Sequence, residues 1–160
     1  MTKILTEGME NERSLIVTQS QEIKTDAFDN SRIKRRTSLN MNDDDQMNMF
    51  IESMSDVDMK LNDCVNQEIV CIGATINEYP QDSTNEDTGE LITRYKHTLI
   101  LYDEDGKTYV TGSSACYQSF CIIATLKGMP TIENPIKLMP IKKPSKDDPT
   151  HNYLKIKLVK

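Results

Sequence analysis

The segment from Asn152 to Val159 alternates between apolar residues and residues that could bind a polyanion. Strand residues two positions apart share a face, so one face is apolar and the other is polar or aromatic. The two faces carry Leu154, Ile156 and Leu158 on one side, and Tyr153, Lys155, Lys157 and Val159 on the other. Aromatic rings stack on unpaired bases and lysines neutralise phosphates, so the second face is typical of a surface that binds single-stranded nucleic acid.

Seven other residues are candidates for the same chemistry. Three lysines precede the last strand, and a second cluster lies earlier in the chain. They are Lys137, Lys142 and Lys143, expected to contact phosphate, and Arg94, Lys96, Lys107 and Tyr109, of which Tyr109 is expected to stack on a base as Tyr153 does. The alternative is structural, because tyrosine is enriched in strands and lysine protects exposed strand edges.

The net charge of −6 hides an uneven distribution of charge along the chain. Residues 1–66 contain 8 basic and 13 acidic residues, residues 67–135 contain 4 and 10, and residues 136–160 contain 7 and 2. Phosphate binding depends on lysine and arginine and on the local electrostatic potential. The sequence therefore predicts that residues 136–160 attract a polyanion although the whole chain is acidic.

These candidates need a scaffold, and the pattern over residues 67–160 predicts one. Gly73 suits a bulge in the first strand, and the segment Asp103-Glu-Asp-Gly106 is typical of a tight hairpin turn. The predicted elements are strands at Gln67–Tyr79, Arg94–Tyr102 and Lys107–Thr111, a solvated loop at Pro80–Glu90, a helix that Ser113 or Ser114 caps and Gly128 ends, an edge strand at Ile136–Pro144 and a strand at Asn152–Val159. Three strands, a helix and two strands predict a mainly β fold, an OB-like five-stranded barrel with a helix between strands 3 and 4.

The residues before this domain divide into an arm and a helix. Residues 1–42 have scattered apolar positions without a period, which predicts a disordered or low-order N-terminal arm. Within it, Arg32–Leu39 is either a solvated charge run or a basic finger that touches phosphate, and it resembles a kinase site at Ser38. Residues 43–62 predict an amphipathic helix, because acidic residues favour a helix N-terminus and apolar residues follow at three-to-four spacing. This helix either packs on its own domain or presents a methionine-rich face to a partner.

Catalytic and metal-binding motifs do not compete with this interpretation. The sequence has no phosphate-cradling glycine loop and no GxSxG or HExxH motif, so we expect neither catalysis nor a cofactor. Cys64, Cys71, Cys116 and Cys121 form no CxxC pair, which favours reduced packing residues over a zinc or redox site. His97 is expected in the interior or at its rim. No apolar run has the length of a membrane span, which predicts a protein without membrane association.

The domain at residues 67–160 resembles the single-stranded DNA-binding proteins encoded by some tailed bacteriophages. The resemblance lies in the order of segments and the residue pattern of two stretches, YKHTLILYDEDGKTYVTGSSACYQSF and LKGMPTIENPIKLMPIKKPSKDDPTHNYLKIKLV. It implies an OB-type barrel that coats single-stranded DNA during replication and recombination, without sequence readout. It also implies a cytoplasmic location, which for a phage protein is the cytoplasm of the host.

The chain departs from the familiar bacterial single-strand binders in two ways. Those proteins recruit partner enzymes with an acidic C-terminal tail and stack bases on tryptophan, whereas this chain ends in a basic strand and has no tryptophan. Recruitment of replication or recombination proteins would then fall to the acidic N-terminal arm, which could also compete with DNA for the basic groove. The alternative is a protein-interaction or structural module of a phage-like assembly that uses the helix and the acidic surface. An exposed strand edge would allow a homo-oligomer.

Overall fold

The computed structural model describes residue 16, residues 18–24 and residues 32–160, and these residues form a mainly β structure. The predicted fold class is confirmed at this level. One sheet contains the eight strands of the described residues: β1 (Gln21–Ile23), β2 (Lys34–Thr37), β3 (Met59–Lys60), β4 (Ile69–Thr84), β5 (Leu91–Asp103), β6 (Thr108–Thr111), β7 (Ile136–Pro144) and β8 (Asn152–Leu158). The helices are α1 (Asp44–Ser55) and α2 (Ser114–Lys127), and a short 3-10 helix spans Leu61–Cys64.

Strand β4 is the centre of the sheet because both of its edges are paired. Along one edge it pairs antiparallel with β5. The other edge is shared, since β7 pairs with Ile69–Cys71 and β2 pairs with Thr75–Glu78. The register shifts between Cys71 and Gly73, which confirms the predicted bulge. A Cβ at Gly73 would lie 2.4 Å from Leu39 Cδ2, so a larger residue would displace a buried leucine.

The sheet is open, so the predicted closed barrel of five strands is not what the structure shows. Strands β6, β5, β4, β7 and β8 pair in that order, but β8 does not pair with β6. The outer edge of β6 is occupied by β3, which runs parallel to it. The outer edge of β8 is occupied by α2. Ser113 Oγ donates a hydrogen bond to the Leu154 carbonyl (3.2 Å). The Ile156 amide donates to Ser119 Oγ (3.0 Å), so both edges that would close the barrel already have partners.

The sheet is covered on both faces, and strand β5 contributes to both cores. Leu99 and Leu101 pack in the main core with Phe120 of α2. Ile100 and Tyr102, on the opposite face, pack in a second cluster beneath α1. The alternation in this part of β5 therefore separates two buried faces, which is why the sequence does not mark one of them as polar.

Helix α1 is shorter than predicted and packs on its own domain. It ends at Ser55, whereas the prediction extended over residues 43–62. Phe50 is buried in the second cluster, so packing against the sheet, one of the two alternatives, is confirmed. The helix ends early because the chain after it continues into β3, which pairs with β6. The Asp58 carboxylate accepts hydrogen bonds from the amide and the hydroxyl of Thr108, at 2.8 and 3.0 Å.

Part of the predicted low-order arm is ordered β structure. Strands β1 and β2 pair with each other, and β2 continues the sheet beside β4. A buried chain of hydroxyls fixes β2, because Thr75 Oγ1 donates to Thr37 Oγ1 (3.0 Å) and lies 2.8 Å from the Tyr102 hydroxyl. Residues 1–15, 17 and 25–31 lie outside the described residues, and so does the predicted competition of that part of the arm with DNA.

The basic segment Arg32–Leu39 is held in place rather than extended as a finger. Arg32 forms an ion pair with Asp82 (2.7 Å). Ser38 is buried, where its hydroxyl donates to the Pro130 carbonyl (2.6 Å) and accepts from the Ala74 amide (2.9 Å). A buried hydroxyl that makes two hydrogen bonds is not accessible to a kinase in the folded protein, so the resemblance to a kinase site is not supported.

The segment predicted as a solvated loop, Pro80–Glu90, begins as strand, and the rest of it forms a turn. Strand β4 continues to Thr84, and the turn begins at Asn85. Residues 79–84 and 91–96 therefore form an exposed two-stranded extension, the distal ribbon. Two other local predictions are confirmed: Gly106 has φ 84° in the hairpin turn, and α2 runs from a Ser113 cap to Gly128 at φ 86°.

Candidate nucleic-acid interface

The hairpin of β7 and β8 gathers predicted lysines on one face. Its register pairs three outward positions of β7 with three of β8: Lys143 with Tyr153, Ile141 with Lys155, and Met139 with Lys157. Residues opposite each other in an antiparallel pair share a face of the sheet. Lys143, Tyr153, Lys155 and Lys157 therefore lie on one side, and we call this surface the hairpin face.

The other side of β8 is the apolar side that the alternation predicted. Leu154 and Ile156 are 8% and 2% exposed and belong to the main core. Leu158 lies at the end of the strand and is 37% exposed. Burial of the even-numbered positions fixes the orientation of β8, so its lysines have to face outward.

A groove of about 310 Å³ lies between the hairpin face and α2. Its cations are Lys143, Lys155 and Lys157. Ile141 and Ile122 contribute apolar lining, and Ile122 is 61% exposed although it is a large aliphatic residue. None of the described residues that line this lysine groove is a carboxylate. A phosphate would therefore meet cations here, while a sugar or base edge would contact aliphatic side chains.

Two other predicted lysines lie on the hairpin outside this groove. Lys137 is near the opposite end of β7, and its ammonium lies 3.9 Å from the Glu68 carboxylate, which offsets part of its charge. Lys142 is opposite Leu154 in the register and is exposed on the other face of the hairpin. These two lysines can add to the local positive potential without lining the groove.

The structure does not bring the second predicted cluster together. Arg94 and Lys96 lie on the distal ribbon, opposite Gln81 and Tyr79, and both are exposed. Lys107 follows the acidic turn at the other end of β5. About seven residues of strand separate Lys96 from that turn, which is roughly 20 Å. Arg94 and Lys96 therefore form no common surface with Lys107.

Tyr109 cannot stack on a base, which corrects its predicted role. Its side chain belongs to the main core and is 8% exposed. The Tyr109 hydroxyl donates to Asp103 Oδ2 at 2.8 Å. Burial, and then the adjacent Asp103 carboxylate, raise the pKa of Tyr109 far above its ordinary value. A neutral, hydrogen-bonded and buried ring is a structural residue.

A second cavity, about 500 Å³, lies beside the first turns of α2. The His97 and Tyr117 rings stack there, with centroids 4.0 Å apart and planes 5° apart. The described lining residues are Tyr95, Lys96, His97, Gly112, Ser114, Tyr117 and Gln118. Sequence reasoning missed this aromatic cavity. Tyr95 and His97 alternate visibly on β5, but their proximity to Tyr117 depends on how α2 packs on the sheet.

The cysteines behave as packing residues. Cys64, Cys71 and Cys116 are buried and free, and Cys121 is partly buried and free. Burial raises the pKa of Cys71 to about 12, so its thiol stays protonated at neutral pH. Within the described ranges no three metal-ligating side chains cluster, and neither helix has the length and apolar character needed to cross a membrane.

Comparisons with known proteins identify no relative of this chain. No family model, no curated protein and no solved structure matches this chain. The hairpin face, the lysine groove and the aromatic cavity are therefore the features from which a function can be argued.

Proposed function

We propose that this protein binds single-stranded DNA without catalysis, with the hairpin face and the lysine groove as its binding surface. The observation that carries this proposal is the shared face of Lys143, Tyr153, Lys155 and Lys157. Cations in a groove hold the phosphate backbone, and an exposed aromatic ring beside them offers a stacking platform. Tyr153 is 37% exposed, so its ring is accessible to a base.

The separation of charge supports a polyanionic ligand on this acidic chain. Residues 136–160 contain 7 basic and 2 acidic residues, whereas residues 1–135 contain 12 basic and 23 acidic residues. The described lining of the lysine groove contains no carboxylate. Exposed charges farther away than about 10 Å are largely screened at 0.1 M salt, so the local lysines dominate the potential that a phosphate meets.

The lining also supports binding without sequence readout. Arginine, asparagine and glutamine read base edges through paired hydrogen bonds. None of these residue types occurs among the described lining residues of the lysine groove, which are lysine, isoleucine, leucine and serine. Lysine binds phosphate as a point charge, and phosphate contacts carry no sequence information.

The strand order supports an OB-like arrangement of the strands that carry this surface. Pairing in the order β6, β5, β4, β7, β8, with α2 between β6 and β7, is the OB barrel pattern without its closing pair. A surface of this kind suits a protein that coats exposed strands during DNA replication and recombination, as the resemblance to phage single-strand binders implies. Its partners would then be replication or recombination proteins.

Titration of labelled oligo-dT at several salt concentrations tests this proposal. Each phosphate neutralised on a single strand contributes about −0.7 to the slope of log affinity against log salt, so the three groove lysines predict a slope near −2. Tyrosine fluorescence, in a chain without tryptophan, should be quenched on binding, and Tyr153→Ala should reduce the quenching. Absence of binding at low salt would overturn the proposal.

A second candidate function is a structural module that assembles with itself through α1. The observation that favours it is an exposed apolar row, in which Met47, Ile51 and Met54 are 37%, 55% and 37% exposed. Their spacing places them on one helix face. Sedimentation of the wild type and of Ile51→Glu tests this candidate. A concentration-dependent oligomer that Ile51→Glu dissociates, together with no oligo-dT binding, would favour it over DNA binding.

A further inference from the structure

The aromatic cavity has the chemistry of a base-binding site. Tyr95 and His97 are two residues apart on β5 and share a face. Tyr117 stacks on His97, so three aromatic side chains line one cavity. Tyr95 is 58% exposed, so its ring is accessible to a ligand. Flat rings that are already parallel can extend their stack onto a base.

The polar lining of the cavity is compatible with a nucleotide. The described lining residues include Lys96, Ser114 and Gln118, and none of them is a carboxylate. Gly112 leaves open space, since a Cβ there would meet no atom within 4 Å. A volume of about 500 Å³ lies in the range of small-molecule sites.

The neighbouring cavity shows why the strand would prefer this side of the stacked pair. That cavity, about 340 Å³, also contacts His97 and Tyr117, but its lining includes both Glu22 and Glu78. Glu78 Oε1 lies 3.4 Å from His97 Nε2 and holds the imidazole ring from that side. The same lining also includes Lys34 and Arg36, so its two carboxylates and two cations balance, whereas the described lining of the aromatic cavity carries one lysine and no carboxylate.

Helix α2 connects the aromatic cavity with the lysine groove. Ser114, Gln118 and Ile122 are exposed and spaced four residues apart, so they form one row on the helix surface. Ser114 and Gln118 line the aromatic cavity, and Ile122 lines the lysine groove. Gln118 and Ile122 are separated by about 6 Å along the helix axis. A single extended strand can therefore reach both sites.

We propose that the aromatic cavity holds one unpaired base of the strand whose phosphates lie in the lysine groove. Tyr95 and the His97–Tyr117 pair supply the stacking surface, and the row on α2 is the path between the two sites. This inference rests on the proposed function. It adds stacking on a base to the phosphate contacts that the lysine groove supplies to the binding affinity.

The test compares oligo-dT with an abasic oligonucleotide of the same length, using Tyr95→Ala and its matched control Tyr79→Ala. Tyr79 lies on the same distal ribbon and is not among the described residues that line the aromatic cavity. Loss of one stacked base is worth roughly tenfold in affinity. We expect Tyr95→Ala to bind oligo-dT about tenfold more weakly, to bind the abasic strand as the wild type does, and to keep the wild-type salt slope. Tyr95→Phe, which retains the ring, should restore oligo-dT affinity.

Each outcome separates the inference from the proposed function. If Tyr95→Ala matches Tyr79→Ala on oligo-dT, or weakens the abasic strand equally, the inference is overturned while DNA binding stands. If the wild-type protein binds neither oligonucleotide at low salt, the proposed function and this inference both fail. Tyr95 is largely exposed, so circular dichroism should confirm that the variant folds.

Discussion

The β5–β6 hairpin and the β7–β8 hairpin look alike in sequence and differ completely in the structure. Each has a lysine and a tyrosine two positions apart, Lys107 with Tyr109 and Tyr153 with Lys155. Tyr109 is buried against Asp103, whereas Tyr153 is exposed beside lysines. The difference arises because β6 lies between β5 and β3 with its tyrosine in the core, while the tyrosine side of β8 is uncovered. Alternation identifies which residues share a face, and packing decides which face meets solvent.

Replacement of the two tyrosines should separate the hairpins most strongly. Tyr109→Ala removes a buried ring and its hydrogen bond to Asp103, so we expect it to lower the free energy of unfolding by about 3–5 kcal/mol. Tyr153→Ala removes an exposed ring, and its effect should stay within about 0.5 kcal/mol. Chemical denaturation measures both. Equal losses of stability would show that the contrast between the hairpins is wrong.

Removal of the hydroxyl that covers the β8 edge should have a smaller effect. Ser119→Ala leaves the buried Ile156 amide without its acceptor, which costs about 1–3 kcal/mol. Hydrogen exchange at the Ile156 amide should also become faster, because none of the described strands pairs with that edge of β8. Ser114→Ala, on the exposed side of the same helix, serves as the control. Unchanged exchange at Ile156 would mean that α2 does not cover the edge of β8.

Local sequence signals predicted the elements that short-range chemistry determines. Gly73 at the bulge, Gly106 in the hairpin turn, and Ser113 and Gly128 at the ends of α2 are all where the sequence predicted them. Each of these positions depends on backbone geometry that few residue types allow or on a cap within one turn. The predicted bounds of β7 match the structure and those of β8 differ by one residue, but β7 pairs with β4 on one side and β8 on the other, so it is not the predicted edge strand.

Features that depend on distant partners were not predictable. The arm residue Thr37 is ordered by Thr75, and the edge of β8 is covered by Ser119, 37 positions before its partner Ile156. Barrel closure likewise depends on whether β3 occupies the edge of β6. The aromatic cavity needs His97 and Tyr117 to meet across a helix and a strand. Such contacts are properties of tertiary packing and leave no periodic trace in the sequence.

The most direct test of the account compares two double variants in salt-dependent oligo-dT binding. Lys155→Ala with Lys157→Ala removes two groove cations, and Lys107→Ala with Lys127→Ala removes the same charge from sites that do not line the groove. At about −0.7 per phosphate contact, the groove variant should reduce the steepness of the salt slope by about 1.4, while the control keeps the wild-type slope. Identical slopes for the two double variants would contradict the assignment of phosphate binding to the β7–β8 hairpin.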